Sequence, residues 1–136
     1  MAEVVGIVAA SGQFIEQSAK IYKLTKRFRD QLRDGPEEIG AWRTELQHLE
    51  SLITQIKNSP SLQVDDLEPT INQCNSVSGK LLEIFDQINF SKADPLGHKT
   101  WKAVEGLAKE SEIQDLFGQI ERLKSTLNGK IAVIGM

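Results

Sequence analysis

Ile7, Phe14, Ile21 and Phe28 stand seven residues apart near the start of the chain. Positions three, four and seven apart share one face of an α-helix, whereas a strand repeats its face every second residue. A chain patterned this way can gather that stripe on one side only by becoming helical. Val4, Val8, Ile15, Tyr22 and Leu32 flank the stripe, and Ser11, Ser18 and Thr25 continue the row that Val4 begins. One edge of the stripe is therefore small and partly polar. The spacing predicts a helix over residues 3–33. Its weak point is Ser11-Gly12, because glycine inside a helix costs about 1 kcal/mol relative to alanine. Asp34-Gly35-Pro36 ends it and opens the next, since proline fits a first turn but not an interior.

Four further stretches repeat the pattern. Ile39, Trp42, Leu46, Leu49, Ile53 and Ile56 predict a helix near 37–57, closed by Asn58-Ser59-Pro60. Leu67, Ile71, Cys74, Leu81, Phe85 and Ile88 predict one near 67–88, with Asp65-Asp66 as its N-cap. Asp94-Pro95 opens a shorter helix near 96–109 that carries Trp101, Val104 and Leu107. Ser111 and Gln114 match a capping box for a last helix near 112–130, bearing Ile113, Leu116, Phe117, Ile120 and Leu127. Lys130 to Ile134 is the one segment that reads equally as helix or strand. Helices this amphipathic are not stable alone, so short loops should return them antiparallel. The expectation is one all-α domain over 1–136, a compact antiparallel bundle of four to five amphipathic helices. Its expected core is Phe14, Ile21, Phe28, Trp42, Leu46, Leu49, Ile53, Leu81, Phe85, Trp101, Phe117, Ile120 and Leu127. At 136 residues the chain can bury such a core. About two-thirds of the unfolded surface disappears at this size.

Charge narrows the function. The net charge of −3 divides into +2 over residues 1–35, −6 over 36–90 and +1 over 91–136. A nucleic-acid binder would carry a broad basic excess, so nucleic acid is not an expected partner. The concentrated cations are Lys20, Lys23, Lys26, Arg27, Arg29 and Arg33. The ordinary reading is a solvated helix face. The sharper one makes Lys20, Lys23, Lys26, Arg27 and Arg33 a surface for anions. The single cysteine excludes an internal disulfide framework and suits a reducing compartment. Glu3 stands where a signal peptide needs basic residues, and no apolar run approaches the roughly 20 residues of a membrane span. The expected location is the cytoplasm.

No constellation points to catalysis, a metal or a cofactor. Glu45 and His48 have the Glu-x-x-His spacing of di-iron bundles, but the residue three before His98 is Pro95, not the second carboxylate such a site needs. Cys74 lies on an apolar stripe, as a small buried thiol does. Gly129-Lys130 lacks the first glycine and the hydroxyl residue of a phosphate loop. Trp42 and Trp101 lie on apolar stripes, where packing is their ordinary role.

Two segments carry a family resemblance. Trp101-Lys102-Ala103-Val104, Lys109-Glu110-Ser111-Glu112-Ile113, Leu116 and Ile120-Glu121-Arg122-Leu123-Lys124-Ser125-Thr126-Leu127 resemble the closing signature of fungal HeLo-like and SesA-type N-terminal domains. The opening Met1-Ala2-Glu3-Val4-Val5-Gly6-Ile7-Val8-Ala9-Ala10, running into a helix with a basic second half, is similar to their N-terminus. The resemblance implies a helical bundle at the head of a fungal NLR-like receptor that continues into a NACHT or NB-ARC module. It implies kinship with the executioner bundle of necroptosis pseudokinases, and roles in innate immunity, heterokaryon incompatibility and programmed cell death. HeLo domains kill by oligomerising and inserting an N-terminal segment into the plasma membrane. By position that segment is Val4, Val5, Gly6, Ile7, Val8, Ala9, Ala10 and Gly12. The implied partners are the domain itself on activation, an anionic membrane and another helical signalling domain. The competing class is a helical adaptor that docks other proteins and never touches lipid. An adaptor would keep Val4 to Ile15 packed permanently. A membrane actor would release it toward anionic headgroups that the basic stretch has met.

Overall fold

The computed structural model describes the backbone of residues 2–31, 38–88 and 106–134, and the side chains of 6–30, 38–88 and 109–134. Among these are four α-helices, two 3-10 turns and no strand. α1 runs Ala2–Gln31, α2 Ile39–Asn58, α3 Glu68–Gln87 and α4 Gly106–Ile134. The turns Pro60–Leu62 and Asp65–Leu67 join α2 to α3.

The four residues of the opening stripe are wholly buried, and Leu49, Ile53, Ile71 and Leu81 meet them in one core. Each such side chain stabilises the fold by about 1.5–3 kcal/mol. Trp42, Leu46, Phe85, Phe117, Ile120 and Leu127 are buried in the same cluster. Phe28 of α1 meets Phe85 of α3 edge to face at 5.2 Å. Trp42 of α2 stacks on Phe117 of α4 at the same spacing, with the rings 2° from parallel.

Packing partners set the topology. α1 and α4 each pack against both α2 and α3, and stand diagonally across from one another. Ala10 pairs with Asn75, and Phe28 with Phe85, so α1 and α3 are parallel neighbours. Trp42 meets Phe117 and Glu45 meets Lys124, so α2 and α4 are parallel too. Helices consecutive in sequence are antiparallel, but the bundle's sides alternate between parallel and antiparallel pairs. The two 3-10 turns carry the chain across the diagonal. Leu62 and Leu67 are buried beneath them.

Three local expectations change. Asp65 and Asp66 form the first turn of a 3-10 helix, and Leu67, with no side-chain cap bond, precedes α3. The chain is already turning there, so the carboxylates never take the extended geometry a cap requires. α4 is continuous through Ser111, where a break between helices near 96–109 and 112–130 was expected. No proline or glycine lies between 107 and 117, and Ala108, Lys109, Glu110 and Glu112 are strong or ordinary helix formers. A serine among them costs only a fraction of a kcal/mol, about 0.5. Lys109 Nζ also donates to Gln87 Oε1 at 2.7 Å, tying this turn to α3. The ambiguous tail is helical through Ile134. Lys130 Nζ anchors it to Asp66 O at 3.0 Å and Thr70 Oγ1 at 3.1 Å. Trp101, His98, Arg33 and the turn at Gly35-Pro36 lie outside the described residues.

Arg43, on α2, is 8% exposed. It donates to Tyr22 O at 2.7 Å and Thr25 Oγ1 at 2.9 Å, and its guanidinium lies 3.8 Å over the Tyr22 ring. Planar stacking and a rigid fork together clamp α1 to α2. Arg43→Ala should cost about 2–3 kcal/mol in denaturant melts. Arg43→Lys should recover little of it, because an ammonium cannot stack and bond at once.

Candidate functional site

α1 holds both stretches singled out in the sequence, and they differ in how they are held. In the first, Ile7 and Phe14 are wholly buried, while Gly6, Val8 and Gly12 are half-buried. A side chain at Gly6 would strike the Glu68 carboxylate at the start of α3. Gly12 faces α2, where Lys57 Nζ lies 3.9 Å from the place a Cβ would occupy. The side chains of Val4 and Val5 are outside the described set, and their backbone is helical.

The polar contacts of this half are incomplete. Asn75 Nδ2 of α3 donates to Ala10 O at 3.0 Å, but its Oδ1 is buried without a hydrogen-bond partner. The Ser11 and Ser18 hydroxyls are equally buried and unpartnered. Ser78 Oγ donates to Gln17 Oε1, a side-chain to side-chain bond across the same α1–α3 seam. A buried polar group left unpaired costs about 1–3 kcal/mol. The apolar contacts hold this half of α1 down while the polar ones loosen it.

The second half is differently exposed. Lys20, Lys23, Lys26 and Arg27 all face solvent. Lys20 meets Glu16 at 3.8 Å and Arg29 meets Asp30 at 3.7 Å, both well exposed and worth little in water. Lys20 and Lys23 also edge a groove of about 350 Å³ against α3, with Leu24, Leu82 and Asp86. The cations and the apolar segment thus lie on one continuous helix, two to four turns apart.

The residues of chemical interest, Glu45, His48 and Cys74, lie on α2 and α3. Glu45 pairs with Lys124 Nζ at 2.8 Å, which satisfies the same Oε2 that lacks a conventional hydrogen bond. His48, one turn on, is exposed beside Lys124 and Asn128 in a shallow groove. Among the described residues no three histidine, cysteine or carboxylate side chains gather as metal ligands would. Burial pushes the Cys74 thiol up to about 12, against a smaller pull from its own backbone. A thiol so protonated is no nucleophile at neutral pH. Sequence reasoning passed over Arg43, Asn75 and Ser78. Thr25, in the small, polar row with Ser11 and Ser18, was the visible half of the Arg43 signal, since a buried hydroxyl calls for a partner on a facing helix.

The family model for SesA, described as an N-terminal domain on NACHT NTPases and P-loop NTPases, matches residues 3–127. This chain belongs to the SesA family. No curated protein and no solved structure matches it. The SesA match begins at Glu3 and ends at Leu127, so it takes in α1, α2, α3 and most of α4. Among the described residues of this SesA domain, no helix is long and apolar enough to cross a membrane.

Proposed function

We propose that this SesA domain is a non-enzymatic signalling and programmed-cell-death module at the head of a fungal NLR-like immune receptor. It acts by self-association and by inserting the start of α1 into an anionic membrane to which the receptor has brought it. The observation that carries the reading is the imbalance within α1. The half of α1 that carries the apolar, glycine-bearing segment buries Ser11 Oγ and Ser18 Oγ, and against it Asn75 Oδ1 of α3, all without hydrogen-bond partners, and an exposed run of cations follows. Each cation near an anionic surface is worth about 1 kcal/mol, so Lys20, Lys23, Lys26 and Arg27 give weak, salt-sensitive attachment. Val4, Val5, Gly6, Ile7, Val8 and Gly12 supply the part that enters lipid. They are too short to span, and lie instead at the headgroup boundary as interfacial helices do.

Releasing Ile7 and Phe14 from the core costs several kcal/mol, by the same burial of about 25 cal/mol per Å² that favours their entry into lipid. A resting monomer should therefore bind vesicles poorly. Clustering by the receptor supplies many cation stripes at once and shifts the balance. Forced oligomers should permeabilise phosphatidylserine vesicles at low salt, and added salt should abolish the effect. Ser11→Ala with Ser18→Ala removes two unpaired hydroxyls, so it should stabilise the fold by about 2–4 kcal/mol and suppress leakage. Forced oligomers that leave such vesicles sealed would remove the membrane role. The complete burial of Ile7 and Phe14 would then support an adaptor that presents the bundle to another helical signalling domain.

A further inference from the structure

The outer face shared by α3 and α4 plays no part in the reading of α1. A groove of about 380 Å³ runs between the two helices, with Val77 and Leu123 on its floor and Lys80 and Arg122 on its walls. Among the described residues neither cation is in an ion pair. No carboxylate lines the groove. One turn along α3 from Lys80, on the same side, stands exposed Glu83. On α4, Asp115, Gly118 and Arg122 are spaced three and four apart and so share one row. Glu83 and Asp115 lie toward the end of the pair that the Gln87–Lys109 bond marks. The face is therefore divided along its length, carboxylates at one level and cations at the next.

We propose that this face is a self-association surface, occupied by the same face of a second copy about a two-fold axis lying across both helices. Such an axis inverts the order of charges along each helix. Lys80 then meets Glu83 of the second copy, and Arg122 meets its Asp115, each pair twice. The register permits one axis for both pairs. Lys80 and Gln119 both line the groove, between the Gln87–Lys109 and Thr70–Lys130 bonds that set the antiparallel register, so the midpoint of Lys80 and Glu83 stands within about one helical turn of that of Asp115 and Arg122. The second midpoint falls at Gly118, where no Cβ stands between the two backbones and the Arg122 guanidinium lies 3.9 Å from the position one would take. Self-complementary patches of this kind are what a closed two-fold dimer requires.

A 20-residue helix is about 30 Å long and two packed helices present about 20 Å of width, or about 600 Å² per copy. That lies at the low end of specific interfaces and makes the contact weak and transient. The inference deepens the self-association reading above by naming its surface, and it does not depend on membrane action. Sedimentation of the full chain at rising concentration in low salt should give a reversible monomer–dimer equilibrium. Lys80→Glu with Arg122→Glu should weaken it at least tenfold, as should Glu83→Lys with Asp115→Lys, each with an unchanged far-UV spectrum. An equimolar mixture of the two variants should recover a heterodimer, because opposite faces are again complementary. A parent chain monomeric up to millimolar concentration, variants that dimerise like the parent, or a mixture that stays monomeric would each overturn the proposal. So would a monomeric parent that instead captures a glutamate-rich helical peptide at this groove, since the surface would then serve an acidic partner. Clustered domain that leaves vesicles sealed while dimerising as described would sink the membrane reading alone.

Discussion

Trp42→Ala is expected to cost about 3–5 kcal/mol, the range for removing a large buried aromatic ring. Trp42 is 5% exposed and stacks flat on Phe117, joining α2 to α4. These helices are parallel and far apart in sequence, so nothing local replaces the contact. For a domain of this size the loss is a large part of the whole stability, typically about 5–15 kcal/mol. A double-mutant cycle with Phe117→Ala separates the stacking from the cavity. The coupling should be about 0.5–1.5 kcal/mol, with the rest of each single effect arising from lost burial. Denaturant melts of Trp42→Ala that overlay those of the parent would mean the rings do not meet in solution.

The Trp42–Phe117 contact also marks where sequence stops informing. That both residues are buried follows from their stripes, because a helix places every third or fourth side chain on one face. That they face each other does not. Periodicity gives each helix an inside, but the pairing of insides depends on how the turns between residues 59 and 67 direct the chain. Pro60–Leu62 and Asp65–Leu67 carry it across the diagonal, which makes α1 and α3 parallel neighbours. No short-range pattern encodes that choice. α4 failed as a prediction for a related reason. Ser111 and Gln114 satisfy the residue types of a capping box, yet a cap forms only where the backbone leaves the helix, and nothing near Ser111 forces it to.

The candidate site was legible in part. The apolar start of α1 and the cations after it are plain in the sequence, since neither depends on tertiary structure. The unpartnered state of Ser11, Ser18 and Asn75 Oδ1 depends wholly on what the facing helices place opposite them. Arg43 reads in sequence as one more surface cation. Only the packing of α2 on α1 turns it inward onto Tyr22 and Thr25. The self-complementary face is hidden for the same reason: Lys80 and Arg122 are 42 residues apart and share a groove only because α3 and α4 pack antiparallel.

Cys74 should behave as the most sensitive internal reporter of whether α1 leaves the bundle. It lies on α3 beside Asn75, which holds Ala10 of α1, and it is wholly buried. Burial raises its thiol from an ordinary value near 9 to about 12. At pH 8 the thiolate fraction should thus fall roughly a thousandfold below that of an unfolded cysteine. Maleimide labelling of the resting domain should be slower than that of the denatured chain by at least this factor. The linkage has a definite sign. The folded state keeps the proton where the unfolded state releases it, so this stability is fully present below pH 9 and is lost as pH rises toward 12. Between pH 8 and pH 10.5 the parent should lose about 2 kcal/mol more than Cys74→Ala does, a difference that excludes the lysines and Tyr22 common to both. Equal losses would place the thiol in contact with water. Release of α1 strips α3 of one of its two covering helices, so labelling should accelerate when forced oligomers meet phosphatidylserine vesicles. It should stay slow with neutral vesicles, which offer the cations of α1 nothing to bind. Labelling that stays slow while anionic vesicles leak would mean that the membrane is breached with α1 still in place on α3.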